Sequence, residues 1–405
     1  MATLTDPPQE SFQLSMLLND TRYRSYTFQF IALIVLIAIM AYLMSNLFAN
    51  LRAAGLNISY GFLTDPAGYD INQRLIEYDS QSTHLRAALV GILNTLLVAS
   101  MACVTATILG VIAGVLRLSK NWLVSKLMAF YVEAFRNVPV FIWILMIGTF
   151  VTLSGDAPKA FLGENPSREM FLGGFAFTNR GLYMPAVTAG AGAGIVVLVF
   201  LASIVAAFWW RSHVKKTLFK TGKLLPAWVF WPILIVPAIL AQLVLGSPLG
   251  LIAPDTMANR FNIQGGLLLG KPLIALWLAL SVYTGAFIAE NVRAGIQAVN
   301  RGQTEAAASL GLRPGRIMNL VVLPQALRVI IPPLISQYLN ITKNSSLAIA
   351  VGYADITATL GGITLNQTGR AIECVLLLML FYLTISLLIS AVMNVYNKSV
   401  SLKER

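Results

Sequence analysis

Residues 302–324, GQTEAAASLGLRPGRIMNLVVLP, do most to narrow the fold of this chain. The three alanines Ala306 to Ala308 are strong helix formers, and Gly311 stands where a helix would end in a left-handed turn. Pro314 then begins a second apolar segment. We therefore predict a short helix, a glycine-capped turn and a second helix, with Glu305 in the first turn of the short helix, where the helix dipole favours a carboxylate.

The sequence on both sides of this stretch is strongly apolar. Of 405 residues, 57% are hydrophobic and 11% are charged, whereas a soluble domain has about 25% charged residues. A helix of roughly 20 apolar residues crosses a bilayer. We predict an all-α polytopic membrane protein with about eight transmembrane helices, at 27–50, 87–116, 127–153, 186–209, 226–246, 272–294, 329–351 and 371–396.

The placement of the basic residues predicts the orientation of the chain. The N-terminus lacks the features of a signal peptide, so the first apolar run is expected to remain as a membrane anchor. Of the 29 Lys and Arg residues, 18 lie on the side of the N-terminus and 9 on the other side. Cytoplasmic loops hold the excess of Lys and Arg, so both termini are predicted to be cytoplasmic. The net charge of +12 thus serves topology, and it does not indicate binding of nucleic acid.

The short-helix stretch has a counterpart in a known family. The spacing of Glu305-Ala306-Ala307, then Gly311, then Leu323-Pro324 resembles the "EAA" loop of ABC importer permeases. This resemblance implies a type I ABC importer transmembrane domain, in which the loop docks in a groove of an ATP-binding subunit. The coupling residues that it implies are Glu305, Ala306, Ala307, Leu310, Gly311, Leu312, Arg313 and Pro314. Arg313 departs from the family, where Ser or Thr commonly caps the second helix.

Two other stretches resemble permeases of the polar amino-acid (histidine/glutamine type) family. They are Gly91 to Val140, which contains Asn94-Thr95-Leu96, and Thr342 to Ile356. The long N-terminal part and an inserted helical hairpin also resemble the larger permease subunit of the general L-amino-acid transporter. The resemblance implies import of polar or broad-range L-amino acids by alternating access.

The predicted organisation has five parts. These are an N-terminal cytoplasmic tail, first membrane helix and external loop at 1–86, a first conserved permease block at 87–153, an inserted external loop and membrane hairpin at 154–270, a permease core at 271–398 with its coupling loop at 302–324, and a cytoplasmic tail at 399–405.

The family resemblance also implies the partners and the location. They are two ATP-binding subunits, a second homologous permease in a heterodimer, an external substrate-binding protein and the lipid of a bacterial inner membrane. We expect no catalytic site, metal or cofactor on this chain, with ATP and magnesium held by the partner ATPase. The stretch GGLLLGKP, residues 265–272, imitates a phosphate-binding loop but has Pro272 where Ser or Thr is needed.

Polar residues inside the predicted spans are candidates for the substrate path, because charges in hydrocarbon are costly and functional by default. The candidates are Asn94, Glu133, Arg136, Asn137, Thr342, Lys343, Asn344, Ser345 and Ser346. Glu133 and Arg136 share a helix face, which allows either a local ion pair or a gating role. Lys343 either pairs with an acid or snorkels outward, or it faces the translocation path.

Other features have structural interpretations. Gly110 and Gly114, and AGAGAG at 189–194, predict close packing of helices. Glu290 is expected near the interface with the coupling loop, and Glu373 is expected to reach water from the start of the last span. A secondary transporter would instead show inverted repeats and acidic residues at the midplane, and an intramembrane enzyme would need a metal or nucleophile site. The sequence has neither pattern.

Overall fold

The computed structural model describes Leu18 and residues 20–55, 57–163, 165–256 and 262–400. The chain divides into two units, residues 1–61 and 62–405, and each is described by itself. The first unit contains helix α1 (Thr21–Ala53), an apolar helix of 33 residues. Most of the N-terminal tail and residues 401–405 of the predicted C-terminal tail lie outside the described residues.

The second unit is helical, with two small sheets. Its helices are α2 (His84–Arg117), α3 (Trp122–Asn137), α4 (Val140–Leu153), α5 (Ala193–Thr221), α6 (Phe230–Val244), α7 (Lys271–Gln297), α8 (Arg301–Ser309), α9 (Pro314–Ile317), α10 (Leu323–Asn344), α11 (Ile356–Ala358), α12 (Leu365–Thr368) and α13 (Ala371–Val400). Its strands are β1 (Ala176–Thr178), β2 (Gly181–Met184), β3 (Ala186–Ala189), β4 (Leu249–Ile252) and β5 (Leu267–Gly270). Short 3-10 segments lie at Gly61–Thr64, Pro158–Phe161, Ala227–Val229 and Ser345–Val351, and π-helical segments at Met318–Val322 and Thr359–Thr364.

The predicted number of spans is confirmed. In the described part of the chain, seven helical segments are long and apolar enough to cross a membrane, and α3 with α4 would make an eighth. The prediction of a continuous third span was wrong, because α3 and α4 meet at an angle of 109°. The cause is Pro139: the residue before a proline is pushed out of the helical region, and Val138 is extended (φ −112°, ψ 135°).

The start of the fourth span was also predicted wrongly. Residues 186–189 form strand β3, and α5 begins only at Ala193, after Gly192 has adopted a left-handed conformation with φ +95°. The helix then continues to Thr221, twelve residues beyond the predicted end. The AGAGAG stretch is therefore mainly a turn between strand and helix. A Cβ atom added at Gly194 would meet nothing within 4 Å, so this glycine does not mark a close helix contact.

Two antiparallel sheets, which the sequence did not predict, gather helix ends at one face of the molecule. Strands β1, β2 and β5 form one sheet, and β3 pairs with β4 in the other. Because β3 leads into α5, β4 follows α6 and β5 leads into α7, three helix ends meet there. Lys271 adds the end of α4, since its buried Nζ donates to the carbonyl oxygens of Thr152 (2.7 Å) and Ser154 (2.5 Å). Lys271 is also the lysine of the stretch 265–272, which imitates a phosphate-binding loop.

The core is centred on α2 and α7, which pack closely along the predicted glycines. A Cβ atom at Gly110 would lie 2.5 Å from Cβ of Ile288, and one at Gly114 would lie 2.6 Å from the carbonyl oxygen of Ala289. The packing role of these two glycines is confirmed. Residues 62–83, which connect to α2, also contribute buried side chains to the core, among them Ile71 and Tyr78.

Candidate functional site

Helix α8 is fixed at both ends by local hydrogen bonds. At its start, Asn300 Oδ1 accepts from the backbone N–H of Gly302 at 2.8 Å. At its end, Gly311 has φ +78°, and the N–H groups of Gly311 and Leu312 donate to the carbonyls of Ala308 (2.9 Å) and Ala307 (3.3 Å). This pair of bonds is a Schellman motif. The left-handed cap predicted at Gly311 is confirmed.

Helix α8 packs on the rest of the molecule through one buried residue, and most of its other side chains face solvent. Ala307 is buried and belongs to a small cluster with Ile317 and Val322. Most of the other residues of the helix are exposed, and Leu310, its C-cap, is 82% exposed. A short helix with small side chains and one protruding leucine can fill a groove in a second protein.

One detail of this loop, the position of Glu305, differs from prediction. The helix begins at Arg301, so Glu305 lies in its second turn and not in its first. Arg313 occupies the N-cap of α9 in an extended conformation, and its side chain makes no capping hydrogen bond. Pro314 follows as the first residue of α9, where its missing N–H is tolerated.

A charged cluster joins three helices beside this end of the core. Glu290 on α7 is only 21% exposed and accepts hydrogen bonds from Arg293 at 2.5 Å and from Arg117 at the end of α2. Arg136 on α3 makes a longer ion pair with it at 4.0 Å. Glu133 joins the cluster through Arg117 at 3.2 Å. The cluster thus contains three guanidinium groups and two carboxylates, and it links α2, α3 and α7.

This cluster corrects the prediction of a local ion pair between Glu133 and Arg136. Glu133 and Arg136 do not form a local ion pair, because each pairs with a residue on another helix, and Arg136 also lies 5.5 Å from the centre of the Phe287 ring. Asn137 Nδ2 donates weakly to Glu133 at 3.5 Å. Among the described residues, the ion pairs of Glu290 go to arginines of α2, α3 and α7, and its expected nearness to the coupling loop stays a prediction. Sequence spacing shows only which residues share a face of one helix, whereas these contacts between helices depend on tertiary packing.

The polar residues of 342–346 lie where α10 passes into a 3-10 helix. Thr342 and Ser345 are buried and donate to carbonyls of their own segment, at Tyr338 (3.0 Å) and Thr342 (2.7 Å). Ser346 does the same with Lys343 at 2.7 Å, and Asn344 is half-buried as the last helical residue. The side chain of Lys343 is exposed and makes no ion pair with any carboxylate of the described residues.

Lys343 belongs to a polar face that the sequence analysis missed. Ser336, Asn340 and Lys343 are all exposed on α10. At 100° per residue, the spacing of four and three places them within about 60° of one another. The i, i+4, i+7 pattern could have been found in the sequence, but only exposure in the structure distinguishes this face from the buried one.

A cavity of about 820 Å³ opens near the sheets, at the end of the core remote from α8. Two charged side chains of opposite sign line it, Asp70 from the segment before α2 and Arg180 from the β1–β2 turn. Amides and apolar side chains complete its wall; the main ones are Asn72, Gln73, Leu273, Ile349, Ile363 and Asn366. Ligand sites in proteins commonly have 300–1,000 Å³ and such a mixture of apolar wall and few polar groups.

Asn94 holds the wall of this cavity in place. Its buried side-chain amide donates to the carbonyl oxygens of Gln73 (2.7 Å) and Ala354 (2.9 Å), both cavity residues. Tyr353 donates back to the carbonyl of Asn94 at 2.9 Å. The structure therefore places Asn94 behind the cavity lining, where it joins the segment before α2 to the segment after α10.

Two further acids lie near the same end of the core. Burial raises the pKa of Asp355 to about 6, although its carboxylate accepts from the backbone N–H of Ala358 at 2.8 Å and caps α11. Glu373 is buried and accepts from Arg370 at 3.4 Å. The expectation that Glu373 reaches water was therefore wrong, because α13 turns this residue toward the protein.

Comparison with known proteins places these features in a family. Residues 194–402 match the family described as "Binding-protein-dependent transport system inner membrane component". This match covers the hairpin of α5 and α6, the α8 loop and the last membrane helix.

Full-length relatives agree with the match. The chain is 50% identical to a glutamate/glutamine/aspartate/asparagine transport system permease protein of Rhodobacter capsulatus, over 100% of both chains. It is 43% identical to a general L-amino acid transport system permease protein of Rhizobium johnstonii, over 98% of this chain and 96% of the relative. It is also 43% identical to a putative amino-acid ABC transporter permease protein of Escherichia coli K12, over 94% and 95%.

Proposed function

The chain belongs to the family of binding-protein-dependent transport system inner membrane components and is a permease subunit of an amino-acid ABC transporter, and from this premise we propose how its parts act in import. Its substrates are polar or broad-range L-amino acids, as the names of its relatives suggest. It works in a bacterial inner membrane and relies on two partner subunits for the hydrolysis of ATP.

The observation that carries this proposal is the geometry of α8. The helix is capped at Asn300 and Gly311, has Ala307 as its one buried residue, and presents Glu305, Ala306 and the exposed Leu310. These residues dock in a groove of the ATP-binding subunit, and Leu310 supplies the apolar anchor. Movement of that subunit on ATP binding is then passed to α7 and α10, which flank the loop in the chain.

The polar face of α10 favours a second permease as a further partner. Ser336, Asn340 and Lys343 are exposed in the isolated chain, and a lysine facing hydrocarbon would cost at least about 3 kcal/mol. A second permease, or a water-filled path between the two subunits, removes that cost. The face then lines the translocation path, where the Lys343 ammonium group attracts the carboxylate that every amino acid carries.

The cavity beside the sheets acts as the external entrance for substrate. Asp70 and Arg180 offer charges of opposite sign, which suit the ammonium and carboxylate groups of a zwitterionic amino acid. A binding protein delivers the substrate to this face. The Glu290 cluster lies at the other end of the core and holds α2, α3 and α7 together while that end is closed. Binding protein and ATP thereby bias an alternating-access equilibrium.

Uptake by the reconstituted transporter tests the substrate class. The chain is co-expressed with the subunits that co-purify with it, placed in vesicles containing ATP, and supplied with the binding protein. We expect uptake of radiolabelled glutamate or glutamine, competed by other L-amino acids and absent without ATP. The chain alone is expected to hydrolyse no ATP. Uptake of sugars or metal ions in preference to amino acids would contradict the proposed substrate class.

A further inference from the structure

The loop between α5 and α6 concentrates positive charge. We define the hairpin tip as residues 211–226, which follow the apolar part of α5. No Asp or Glu occurs between Glu169 and Asp255. The tip holds five cations, Arg211, Lys215, Lys216, Lys220 and Lys223, and all five are exposed. Among the described residues none of them has an ion-pair partner within 4.0 Å.

The tip lies at the boundary of the hydrocarbon layer. The apolar part of α5, residues 193–210, has 18 residues and a length of about 27 Å, close to the roughly 30 Å of a bilayer core. Four of the seven tryptophans of the chain flank the tip, at Trp209, Trp210, Trp228 and Trp231. Tryptophan is enriched at the level of the lipid headgroups, so this belt places the tip in the headgroup region.

The hairpin itself has lipid as its natural neighbour. Helices α5 and α6 pack chiefly against each other, and α6 has no buried residue. Its apolar side chains, such as Ile239 and Leu243, are more than half exposed. Lipids whose acyl chains cover these helices have their headgroups beside the tip.

The cations are arranged to meet headgroups from two sides of α5. Arg211 and Lys215 are four residues apart and share one face, and Lys216 and Lys220 share another, about 140° away. His213 lies over the ring of Trp209, with 5.3 Å between the ring centres and an angle of 20°. Lys and Arg side chains at such a boundary extend toward the phosphate layer while their apolar stems stay along the helix.

We propose that the hairpin tip binds the headgroups of anionic phospholipids. Three observations fit a negatively charged phosphate surface: five exposed cations without an ion-pair partner among the described residues, a sequence without Asp or Glu between Glu169 and Asp255, and the tryptophan belt. Clusters of four to eight such cations beside a membrane helix bind anionic lipid. The excess of positive charge also sets orientation during insertion. The proposal concerns the assembled protein, in which the same charges hold a shell of anionic lipid around the inserted hairpin.

The β3–β4 pairing limits where the tip can be. Strands β3 and β4 join the other ends of α5 and α6, and β5 joins the start of α7 to the same region. The tip therefore lies at the end of the molecule that also holds α8, which follows α7. The alternative partner of the tip is an acidic surface of an ATP-binding subunit, and the experiment distinguishes this protein contact from lipid binding.

Lipid selectivity of the full chain tests the proposal. The purified full-length protein is reconstituted in phosphatidylcholine vesicles that contain trace spin-labelled phosphatidylglycerol or spin-labelled phosphatidylcholine. The immobilised fraction of each label is measured by electron paramagnetic resonance. We expect the wild-type protein to prefer phosphatidylglycerol at low salt, and K216Q/K220Q to lose about threefold or more of this preference. The Arg double variant K216R/K220R keeps the preference, and 0.5 M salt weakens it in the wild type.

A matched control is available on another exposed connection. K120Q/K126Q removes the same charge from exposed lysines in the α2–α3 connection (Lys120) and in the second turn of α3 (Lys126), and it should leave the selectivity unchanged. Equal association of both labels with the wild-type protein would overturn the proposal, and so would an equal loss in the control. If K216Q/K220Q keeps its lipid preference but no longer co-purifies with ATP-binding subunits, the tip is a protein contact and the proposal fails. If K216Q/K220Q does not insert correctly, the proposal is tested by the other two measurements. A lipid preference of the wild type that 0.5 M salt does not weaken, or that K216R/K220R loses, would contradict it.

Discussion

Helix α7 and the α5–α6 hairpin are both apolar enough to cross a membrane, but they occupy opposite environments. In the most apolar 18-residue stretch of α7, about two thirds of the residues are buried within the chain, whereas no residue of the corresponding stretch at α6 is buried. The hairpin helices are nevertheless the more apolar of the two regions. Inside a membrane, protein contacts select small and polar side chains, and lipid contacts select large apolar ones. Hydrophobicity therefore predicts which segments cross the membrane but not which form the core.

The same comparison separates two kinds of exposed surface. Along residues 193–210 of α5 and along α6, the exposed side chains of the hairpin are apolar, so lipid can cover these parts. Helix α10 exposes Ser336, Asn340 and Lys343, and it needs water or another protein there. Transport is expected to depend on the core helices and the face of α10, and to tolerate changes along the hairpin.

The largest expected difference concerns glycine packing. Gly110→Ala places a methyl group about 2.5 Å from Ile288, so α2 and α7 must separate. We expect a loss of about 1–3 kcal/mol of stability, measured as a lower unfolding temperature of the purified protein. Gly194→Ala in the hairpin meets nothing within 4 Å and should leave this temperature unchanged or higher. Equal destabilisation by both changes would contradict the difference in packing.

The second difference concerns the face of α10. Lys343→Met keeps the volume of the side chain and removes its charge, so on the path hypothesis uptake should fall about tenfold or more while assembly and basal ATP hydrolysis persist. The control is Leu240→Met on α6, where an exposed apolar side chain replaces another and uptake should not change. Normal uptake by fully assembled Lys343→Met transporter would exclude Lys343 from the path. Poor assembly would favour a structural role.

The smallest difference is expected within the charged cluster. Glu290→Gln leaves three arginines without their shared partially buried carboxylate and should cost about 1 kcal/mol of stability. Glu133 is 58% exposed, and exposed ion pairs contribute little, so Glu133→Gln should cost less than about 0.5 kcal/mol. Thermal unfolding of the two variants side by side measures the contrast. A larger effect at Glu133 would mean that Glu290 is not the centre of the cluster.

Local patterns in the sequence predicted much of this fold. Apolar runs predicted the number of spans, the Ala-rich stretch predicted α8, and Gly311 predicted its cap. Gly110 and Gly114 predicted a close contact but not its partner, because α7 lies more than 160 residues further along the chain.

Features that depend on distant segments could not be predicted. The cavity combines residues near 70, 180, 270 and 360, and no local pattern connects them. Glu133 and Arg136 are compatible with a local pair, yet packing of α2 and α7 beside α3 supplied other partners. The strands are only three or four residues long, too short for an alternating pattern to be recognised. The effect of Pro139 was predictable from backbone sterics, but the apolar run concealed the bend.

The central claim is that the exposed side of α8 transmits the work of ATP hydrolysis, and substrate-stimulated hydrolysis by the reconstituted transporter tests it most directly. Leu310→Asp changes a side chain that is 82% exposed, so the fold should persist. Ser309→Ala, a control at the neighbouring position, removes only a bond to the carbonyl of Glu305. We expect Leu310→Asp to insert normally but to lose most of the substrate-stimulated hydrolysis and uptake, with Ser309→Ala close to wild type. Wild-type stimulation and uptake in the Leu310→Asp transporter would contradict the claim.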